Sequence, residues 1–245
     1  MTEYDEFQQI KINVSNNTVT TFIDTSNSLT NETINNKIKD IHSTLKINYG
    51  SLDEELPEQK MAVRYLTGKE KVLEIGGNIG RSSLVIARIL DDCKNLLTME
   101  CDEIIAKQLT ENRDLNNLNF NIENSALSNR KLIQKQWLII PSDILLPEHK
   151  WVNTITLENL INKYGIVFDT LILDCEGAFY YILMDMPEIL NNIKLIIMEN
   201  DYCHVSYKIY IDTVLTKNNF YRDYFEKLGS GAPCDNNFFE VWKKI

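Results

Sequence analysis

The sequence is poor in the features that mark secreted and membrane proteins. Its five cysteines are an odd number without CxxC spacing, which argues against a disulfide framework or a cysteine zinc site and for a reducing compartment. No apolar run approaches the roughly 20 residues that a membrane-spanning helix needs. The first residues are acidic and lack the pattern of a signal peptide. We therefore expect a cytoplasmic protein with no membrane span.

Positive charge is also scarce. The 245 residues include 25 lysines and arginines against 35 aspartates and glutamates, a net charge of −10 at pH 7. Recognition of nucleic acid phosphates needs clustered basic residues, and the sequence contains no such cluster. We therefore expect no nucleic acid among the partners.

The length fits one α/β domain, predicted over residues 51–245, with an N-terminal extension over residues 1–50. Within the extension, residues 8–14 and 19–23 alternate apolar and polar side chains, which predicts a hairpin. Residues 30–45 have helical spacing. The extension either packs near the mouth of the active site or forms a contact between copies of the chain, so a homo-oligomer is possible.

From residue 57 onward, helical and strand patterns alternate. We predict a Rossmann-like α/β fold with a seven-stranded, mostly parallel sheet. The last two strands have no helix between them and should form an antiparallel hairpin. The sequence of residues 129–155 predicts an irregular segment without regular secondary structure. The predicted strands are 71–75, 95–100, 119–122, 168–174, 194–199, 219–226 and 237–243. The predicted helices are 57–67, 81–91, 102–116, 156–164, one from about 177, and 206–217.

A glycine-rich turn joins the first of these strands to the helix that follows it. Gly76, Gly77 and Gly80 allow a tight turn and let a ligand approach the backbone. The helix after them offers free N–H groups to an anionic ligand group. Glu74 comes just before the turn, where its carboxylate can face the ligand. The arrangement is typical of a site for a nucleotide-type cofactor, although such turns also serve packing alone.

A second acid supports a nucleoside ligand. Glu100 ends the next predicted strand, where a carboxylate can accept hydrogen bonds from both ribose hydroxyls. The glycine spacing is Gly-Gly-x-x-Gly, which differs from the dinucleotide pattern. A dinucleotide-dependent enzyme is therefore the less favoured interpretation.

Further acids follow two of the later strands. If strands 71–75 and 168–174 are neighbours, Asp174 and Glu176 lie beside the glycine turn. Glu199, Asp201 and His204 follow the next strand. These side chains could remove a proton from a substrate, and a histidine can do so near neutral pH. Alternatively, the carboxylates could hold a divalent cation, which we do not favour, or only position the substrate. Asp174 could also cap the following helix.

Two downstream segments carry a family resemblance. Residues 154–165 and 168–178, read with Ser125–Ser128 and the Leu-Glu-Ile-Gly-Gly-Asn-Ile-Gly turn, resemble the FkbM family of methyltransferases. The order of elements is that of class I S-adenosylmethionine-dependent methyltransferases. Two positions depart from the family pattern: Phe179 stands where a glutamate is usual, and Asp201 where a histidine is usual.

The resemblance implies a cofactor, a reaction and a set of residues. The cofactor is S-adenosylmethionine, and its adenine is expected between the loop of Cys101 and Asp102 and the loop of Ser125 and Ala126. The reaction is O-methylation of a small hydroxylated acceptor, a sugar or glycoconjugate. The alternatives are a nucleotide-dependent oxidoreductase and a catalytically inert cofactor-binding protein. The expected catalytic residues are Asp174, Glu199, Asp201 and His204. The expected cofactor contacts are Glu74, Gly76, Gly77, Asn78, Gly80, Ser82, Glu100, Cys101, Asp102, Ser125, Ala126, Asp174 and Glu176.

Overall fold

A computed structural model describes residues 30–230 and 233–245. The hairpin predicted within residues 8–23 lies outside the described residues. The helices are α1 (Asn31–Ser43), α2 (Leu56–Tyr65), α3 (Arg81–Ile89), α4 (Glu103–Leu115), α5 (Leu157–Tyr164), α6 (Ala178–Asp185) and α7 (Val205–Lys217). The strands are β1 (Val72–Ile75), β2 (Leu96–Met99), β3 (Asn121–Glu123), β4 (Ala126–Leu127), β5 (Leu132–Lys135), β6 (Leu138–Pro141), β7 (Lys150–Val152), β8 (Thr154–Ile155), β9 (Thr170–Leu173), β10 (Leu195–Glu199), β11 (Phe220–Glu226) and β12 (Phe239–Lys244).

Local sequence signals set several of these boundaries. The Asp102 carboxylate accepts hydrogen bonds from the N–H groups of Ile104 and Ile105 and so begins α4. The Thr156 hydroxyl does the same for α5. That helix ends at Gly165, which has a φ of +66°.

The main sheet has seven strands in the order β11-β12-β10-β9-β1-β2-β3. β3, β2, β1, β9 and β10 pair in parallel with one another, whereas β12 is antiparallel to both β10 and β11. This order confirms the predicted Rossmann-like, class I methyltransferase fold with its antiparallel C-terminal strands. The chain turns from one half of the sheet to the other between β1 and β9, and ligands bind at such switch points.

Apolar side chains alternate between the two faces of the sheet and build a core on each. On β9, Leu171 belongs to one core and Ile172 to the other. The core containing Ile172 also includes Ile34 of α1, Met61 of α2 and Leu84 of α3. The helix predicted for the extension therefore shares the domain core, and the boundary at residue 50 stays a prediction.

The segment predicted to be irregular, residues 129–155, is in fact structured. β5 pairs antiparallel with both β6 and β7, and we call this three-stranded unit the insert sheet. β4 precedes the insert sheet in the sequence and β8 follows it, and these two strands pair in parallel with each other. The prediction was wrong because these strands span only two to four residues, too few to show a periodic pattern.

None of the helices within the described residues has the length and apolar character needed to cross a membrane.

Candidate active site

The glycine turn lies against the end of β9. The N–H groups of Gly76 and Gly77 donate to the Met99 carbonyl, at N···O distances of 3.0 and 2.9 Å. Gly76 has a φ of +94°, and a Cβ on it would lie 1.6 Å from the carbonyl oxygen of Asp174. The turn thus requires glycine at this position both for its backbone conformation and for space.

A cleft opens at the carboxyl ends of β1, β2 and β9. One wall carries backbone from the glycine turn, and the insert sheet supplies the opposite wall. The lining residues include Gly76, Asn78, Glu100, Cys101, Ser125, Ala126, Gln134, Trp137, Ile139, Asp174 and Glu176.

Glu100 is held firmly in the wall of the cleft. One of its oxygens accepts from the N–H of Asn78 at 3.0 Å and the other from the N–H of Asp102 at 2.8 Å. Each carboxylate oxygen has a further lone pair, so both can still accept a ligand hydroxyl. Burial raises the pKa of Glu100, and the two backbone donors oppose that rise.

Of the residues expected around the adenine, three line the cleft and one, Asp102, does not. Cys101, Ser125 and Ala126 line the cleft. However, the Ser125 hydroxyl donates to the Glu123 carboxylate at 3.0 Å, and the N–H of Ala126 donates to the carbonyl of Asn153 at 2.8 Å. Asp102 is not among the lining residues of the cleft. Its carboxylate caps α4 and pairs with Lys150 of the insert sheet at 2.6 Å.

Glu74 lies below the turn. It is 3% exposed, and its carboxylate accepts from the hydroxyls of Ser83 at 2.5 Å and Thr98 at 2.7 Å. Burial raises its pKa to about 7, although both hydrogen bonds oppose the rise. Glu74 therefore ties β1 to β2 and to α3. Gly77 also packs internally, since a Cβ there would lie 2.1 Å from Cγ2 of Thr98.

A second, smaller cavity lies between α2 and the ends of β1, β9 and β10. Four of its carboxyl groups come from Glu55, Glu58, Asp174 and Glu199, and we call it the acidic recess. Glu74 and Ser82 also line it. Asp174 lines both the recess and the larger cleft, so the two cavities meet at its side chain.

The carboxyl groups of the site raise one another's pKa values. Burial raises the pKa of Glu199 to about 11, helped by a side-chain hydrogen bond with Glu58. Burial also raises the pKa of Asp174 well above its ordinary value, with added repulsion from Glu55 and Glu58. At the mouth, burial and a side-chain hydrogen bond with Asp201 raise the pKa of Glu176 to about 8. Such shifts are common where catalysis or binding occurs.

The structure brings together Asp174, Glu176, Glu199 and Asp201 but not His204. His204 is exposed at the start of α7 and lines neither cavity. Its ring lies 5.8 Å from the ring of Tyr207, edge to face. Its imidazole therefore has no part in the carboxyl cluster of this structure.

Several residues of the site were missed by sequence reasoning. Glu55 and Glu58 stand at the start of α2, where acidic residues ordinarily favour the helix dipole, so nothing in the sequence set them apart. Gln134 and Trp137 line the cleft from the insert sheet. Gln134 is 5% exposed, and its Oε1 has no hydrogen-bond partner among the described residues.

A metal centre is not evident. Among the residues that the structure describes, no three histidine, cysteine or acidic side chains are arranged to hold a metal ion. The acids of the cleft and recess approach one another in pairs instead.

Comparison with known proteins gives a likeness of fold. No protein-family model and no curated protein matches the chain. Among solved structures, an O-methyltransferase from Bacillus cereus in complex with SAH is 14% identical with a TM-score of 0.46, over 88% of this chain and 92% of that one.

The names of two further solved structures refer to a ribosomal protein and to rRNA. A ribosomal protein L11 methylase from Lactobacillus delbrueckii subsp. bulgaricus is 10% identical with a TM-score of 0.49, over 81% of this chain and 82% of that one. An rRNA methylase from Streptococcus thermophilus is 11% identical with a TM-score of 0.49, over 76% of this chain and 93% of that one. These neighbours are methyltransferases, and the likeness extends to the fold alone.

Proposed function

We propose that this chain is an S-adenosylmethionine-dependent O-methyltransferase of the FkbM family, acting on a hydroxyl of a sugar or glycoconjugate. One observation carries the proposal: the glycine turn and Asp174 meet at the switch point of the sheet and line one cleft. A backbone cradle for a nucleoside and a cluster of carboxyl groups are thus neighbours. Methyl transfer needs its two reactants held close, aligned and away from water.

The residues present fit the cofactor. When bound, it supplies a methyl group on a positively charged sulfur. Glu100 has free lone pairs for the ribose hydroxyls, and the backbone at Gly76 and Asn78 borders the same space. Gly80 ends the turn in a left-handed conformation just before α3. Asp174 and Glu176 offer negative charge to the sulfonium. Cys101, Ser125 and Ala126 enclose the base, while Gly77, Ser82, Glu74 and Asp102 support these residues from behind.

Asp174 is the general base of the proposal. A hydroxyl acceptor must lose its proton as its oxygen bonds to the methyl carbon, and the electron pair of the broken bond goes to sulfur. Burial and its acidic neighbours raise the pKa of Asp174, and a positive charge beside it would lower that pKa again. The carboxylate would then accept the hydroxyl proton. Glu199 and Asp201 flank Asp174, and His204 remains the alternative base.

The charge of the site also bears on the acceptor. Carboxyl groups surround the place where the acceptor would bind, and phosphates would be repelled there. This supports a small acceptor over nucleic acid. An oxidoreductase is disfavoured by the glycine spacing, and an inert protein would bind the cofactor without turnover.

Two measurements test the proposal. Isothermal titration calorimetry should show binding of S-adenosylmethionine and S-adenosylhomocysteine. Incubation with methyl-labelled S-adenosylmethionine and a panel of glycans should transfer label to a hydroxyl oxygen and release S-adenosylhomocysteine. Failure to bind either nucleoside would refute the cofactor assignment, and labelling of RNA in place of glycans would refute the acceptor.

A further inference from the structure

The groups expected to contact the polar edge of the adenine are engaged elsewhere in the structure. The Ser125 hydroxyl donates its proton to the Glu123 carboxylate, and the N–H of Ala126 donates to a backbone carbonyl. The Asp102 carboxylate caps α4 and lies outside the lining of the cleft. These contacts enclose the base but assign no partner to its 6-amino group.

Gln134, in the insert sheet, carries a buried hydrogen-bond acceptor without a partner. Its side chain is 5% exposed and lines the cleft, and its Oε1 has no hydrogen-bond partner among the described residues. Its Nε2 donates to the carbonyl of Gln136 at 2.9 Å, so a reversed amide would place two oxygens against each other. The free atom is therefore the acceptor. A buried acceptor without a donor is costly, and a ligand N–H in the cleft would satisfy it.

The alternation of side chains along β5 directs Gln134 into the cleft. Leu132, two residues earlier on the same strand, also lines the cleft, as expected for residues on one face of a strand. Ile139 of β6 lies directly opposite Gln134 in the antiparallel pair and lines the cleft as well. Gln134 thus stands between apolar side chains, at a position where packing alone would favour another apolar residue.

The register of the insert sheet places Gln134 near the end of β2. Lys150 of β7 lies directly opposite Gln134, and its Nζ pairs with the Asp102 carboxylate at 2.6 Å. The N–H of Asp102 donates to Glu100 at 2.8 Å, and Glu100 is the proposed partner of the ribose. Asp174, proposed to face the sulfonium, follows β9, on the far side of β1. Gln134 therefore lies toward the nucleoside end of the cleft.

Trp137 stands at the tip of the same hairpin. Residues 136 and 137 form the turn between β5 and β6, and Gln136 has a φ of +55°. The Trp137 side chain lines the cleft although it is 59% exposed. An indole offers a flat apolar face on which a purine can stack, and a base bound in the cleft would cover part of it.

We propose that the insert sheet recognises the adenine of the cofactor: Gln134 Oε1 accepts a hydrogen bond from the 6-amino group, and Trp137 packs on the face of the base. The inference rests on the proposed function. A 6-amino group is a hydrogen-bond donor, whereas the 6-oxo group of hypoxanthine is an acceptor and would face the Gln134 oxygen without a proton between them. The site should therefore select a 6-amino purine over a 6-oxo purine.

The test compares S-adenosylhomocysteine with S-inosylhomocysteine, which has an oxygen in place of the 6-amino group, by calorimetry on the full chain. Wild type should bind S-adenosylhomocysteine at least tenfold more tightly. Gln134→Met keeps the length of the side chain but lacks the amide oxygen, so it should weaken S-adenosylhomocysteine binding and bring the ratio of the two affinities below threefold. The matched control, Lys135→Met, places the same residue at the next position of β5, where the side chain is exposed and outside the cleft lining. It should leave both affinities unchanged.

Trp137→Ala should weaken both nucleosides by a similar factor of at least threefold, because stacking does not depend on the substituent at position 6. Equal affinity of wild type for the two nucleosides would overturn the proposal. An unchanged ratio in Gln134→Met would overturn it too, since a structural role would weaken both nucleosides alike. Unchanged affinities in Trp137→Ala would place the base away from the hairpin tip and contradict the stacking. Wild-type protein that binds neither nucleoside would instead refute the proposed function.

Discussion

The backbone carbonyl of Asp174 fills the space beside Gly76 that any other side chain would need. A Cβ on Gly76 would lie 1.6 Å from that oxygen, and the N–H of Asp174 donates to the Ile75 carbonyl at 3.1 Å. The turn that would hold the cofactor and the strand end that would hold the base are therefore fixed against each other by backbone atoms. Their spacing does not depend on flexible side chains.

Replacing Gly76 with alanine should disrupt this contact. The added methyl group would force the two strand ends apart, at a typical cost of about 1–3 kcal/mol for overpacking. The left-handed backbone adds about 1–2 kcal/mol. We expect Gly76→Ala to lower the free energy of unfolding by about 3 kcal/mol or more, measured by urea denaturation, and to abolish S-adenosylhomocysteine binding.

Gly165→Ala is the matched control. Gly165 also has a positive φ, +66°, but a Cβ there would meet no atom within 4 Å. The free energy of unfolding of this variant should fall by only about 1–2 kcal/mol, the cost of the left-handed backbone conformation. The variant should bind S-adenosylhomocysteine normally. Equal losses in the two variants would show that the Asp174 contact has no special role.

Glu100→Ala should weaken cofactor binding. Hydrogen bonds from hydroxyls to a carboxylate contribute roughly 1.5–3 kcal/mol each, so affinity should fall at least tenfold by calorimetry. Glu103→Ala removes an exposed carboxylate three residues later, in the first turn of α4, and should leave affinity unchanged. Unchanged affinity in the Glu100 variant would place the ribose elsewhere.

The sequence predicted the sheet because its short apolar strands alternate with helices that are long enough to show their period, whereas no helix separates the strands of residues 126–155. Glu100 was expected in the cleft wall, and the structure places it there. The side-chain direction of Glu74 was harder to predict, because an acid near a strand end can point to either face of the sheet. Only the packed structure shows it bonded to Ser83 and Thr98.

Glu58 and the insert sheet could not be found in the same way. Glu58 enters the site because α2 packs over β10, a contact between segments at least 130 residues apart in the sequence. The insert sheet depends on pairing between strands of three or four residues. Both features arise from tertiary contacts, which local patterns do not encode.

Stability should fall as the pH rises from mildly acidic to neutral. Burial raises the pKa of Glu74 from an ordinary value of 4.5 to about 7. Below pH 4.5 Glu74 is protonated in both states. Between pH 4.5 and 7 the unfolded chain loses that proton first, so the contribution of Glu74 to the free energy of unfolding falls, on the order of 3 kcal/mol in total, and this contribution levels off above pH 7.

Glu74→Gln isolates this contribution, since the amide oxygen can still accept from Ser83 and Thr98. The variant should be more stable than wild type at pH 8, and the difference should shrink toward pH 5, as measured by urea denaturation at each pH. Glu158→Gln, at an exposed position of α5, should follow the wild-type curve. A constant difference between Glu74→Gln and wild type across this range would contradict the raised pKa.

Asp174→Asn should separate catalysis from binding. The amide keeps the size of the side chain but cannot take the acceptor's proton, so turnover should fall at least about 100-fold, the scale of general-base catalysis. The helix should be unaffected, because α6 begins at Gly177 without a side-chain cap and the capping role expected for Asp174 is absent. Affinity for S-adenosylhomocysteine should be roughly retained. His204→Ala should have little effect on turnover, because the imidazole is exposed and lines neither cavity. EDTA should have no effect on turnover.

If Asp174→Asn retains normal turnover while His204→Ala loses it, the base is the histidine. If neither variant loses turnover, the site accelerates the reaction by positioning alone. Loss of turnover in EDTA would instead assign the carboxylates to a metal ion.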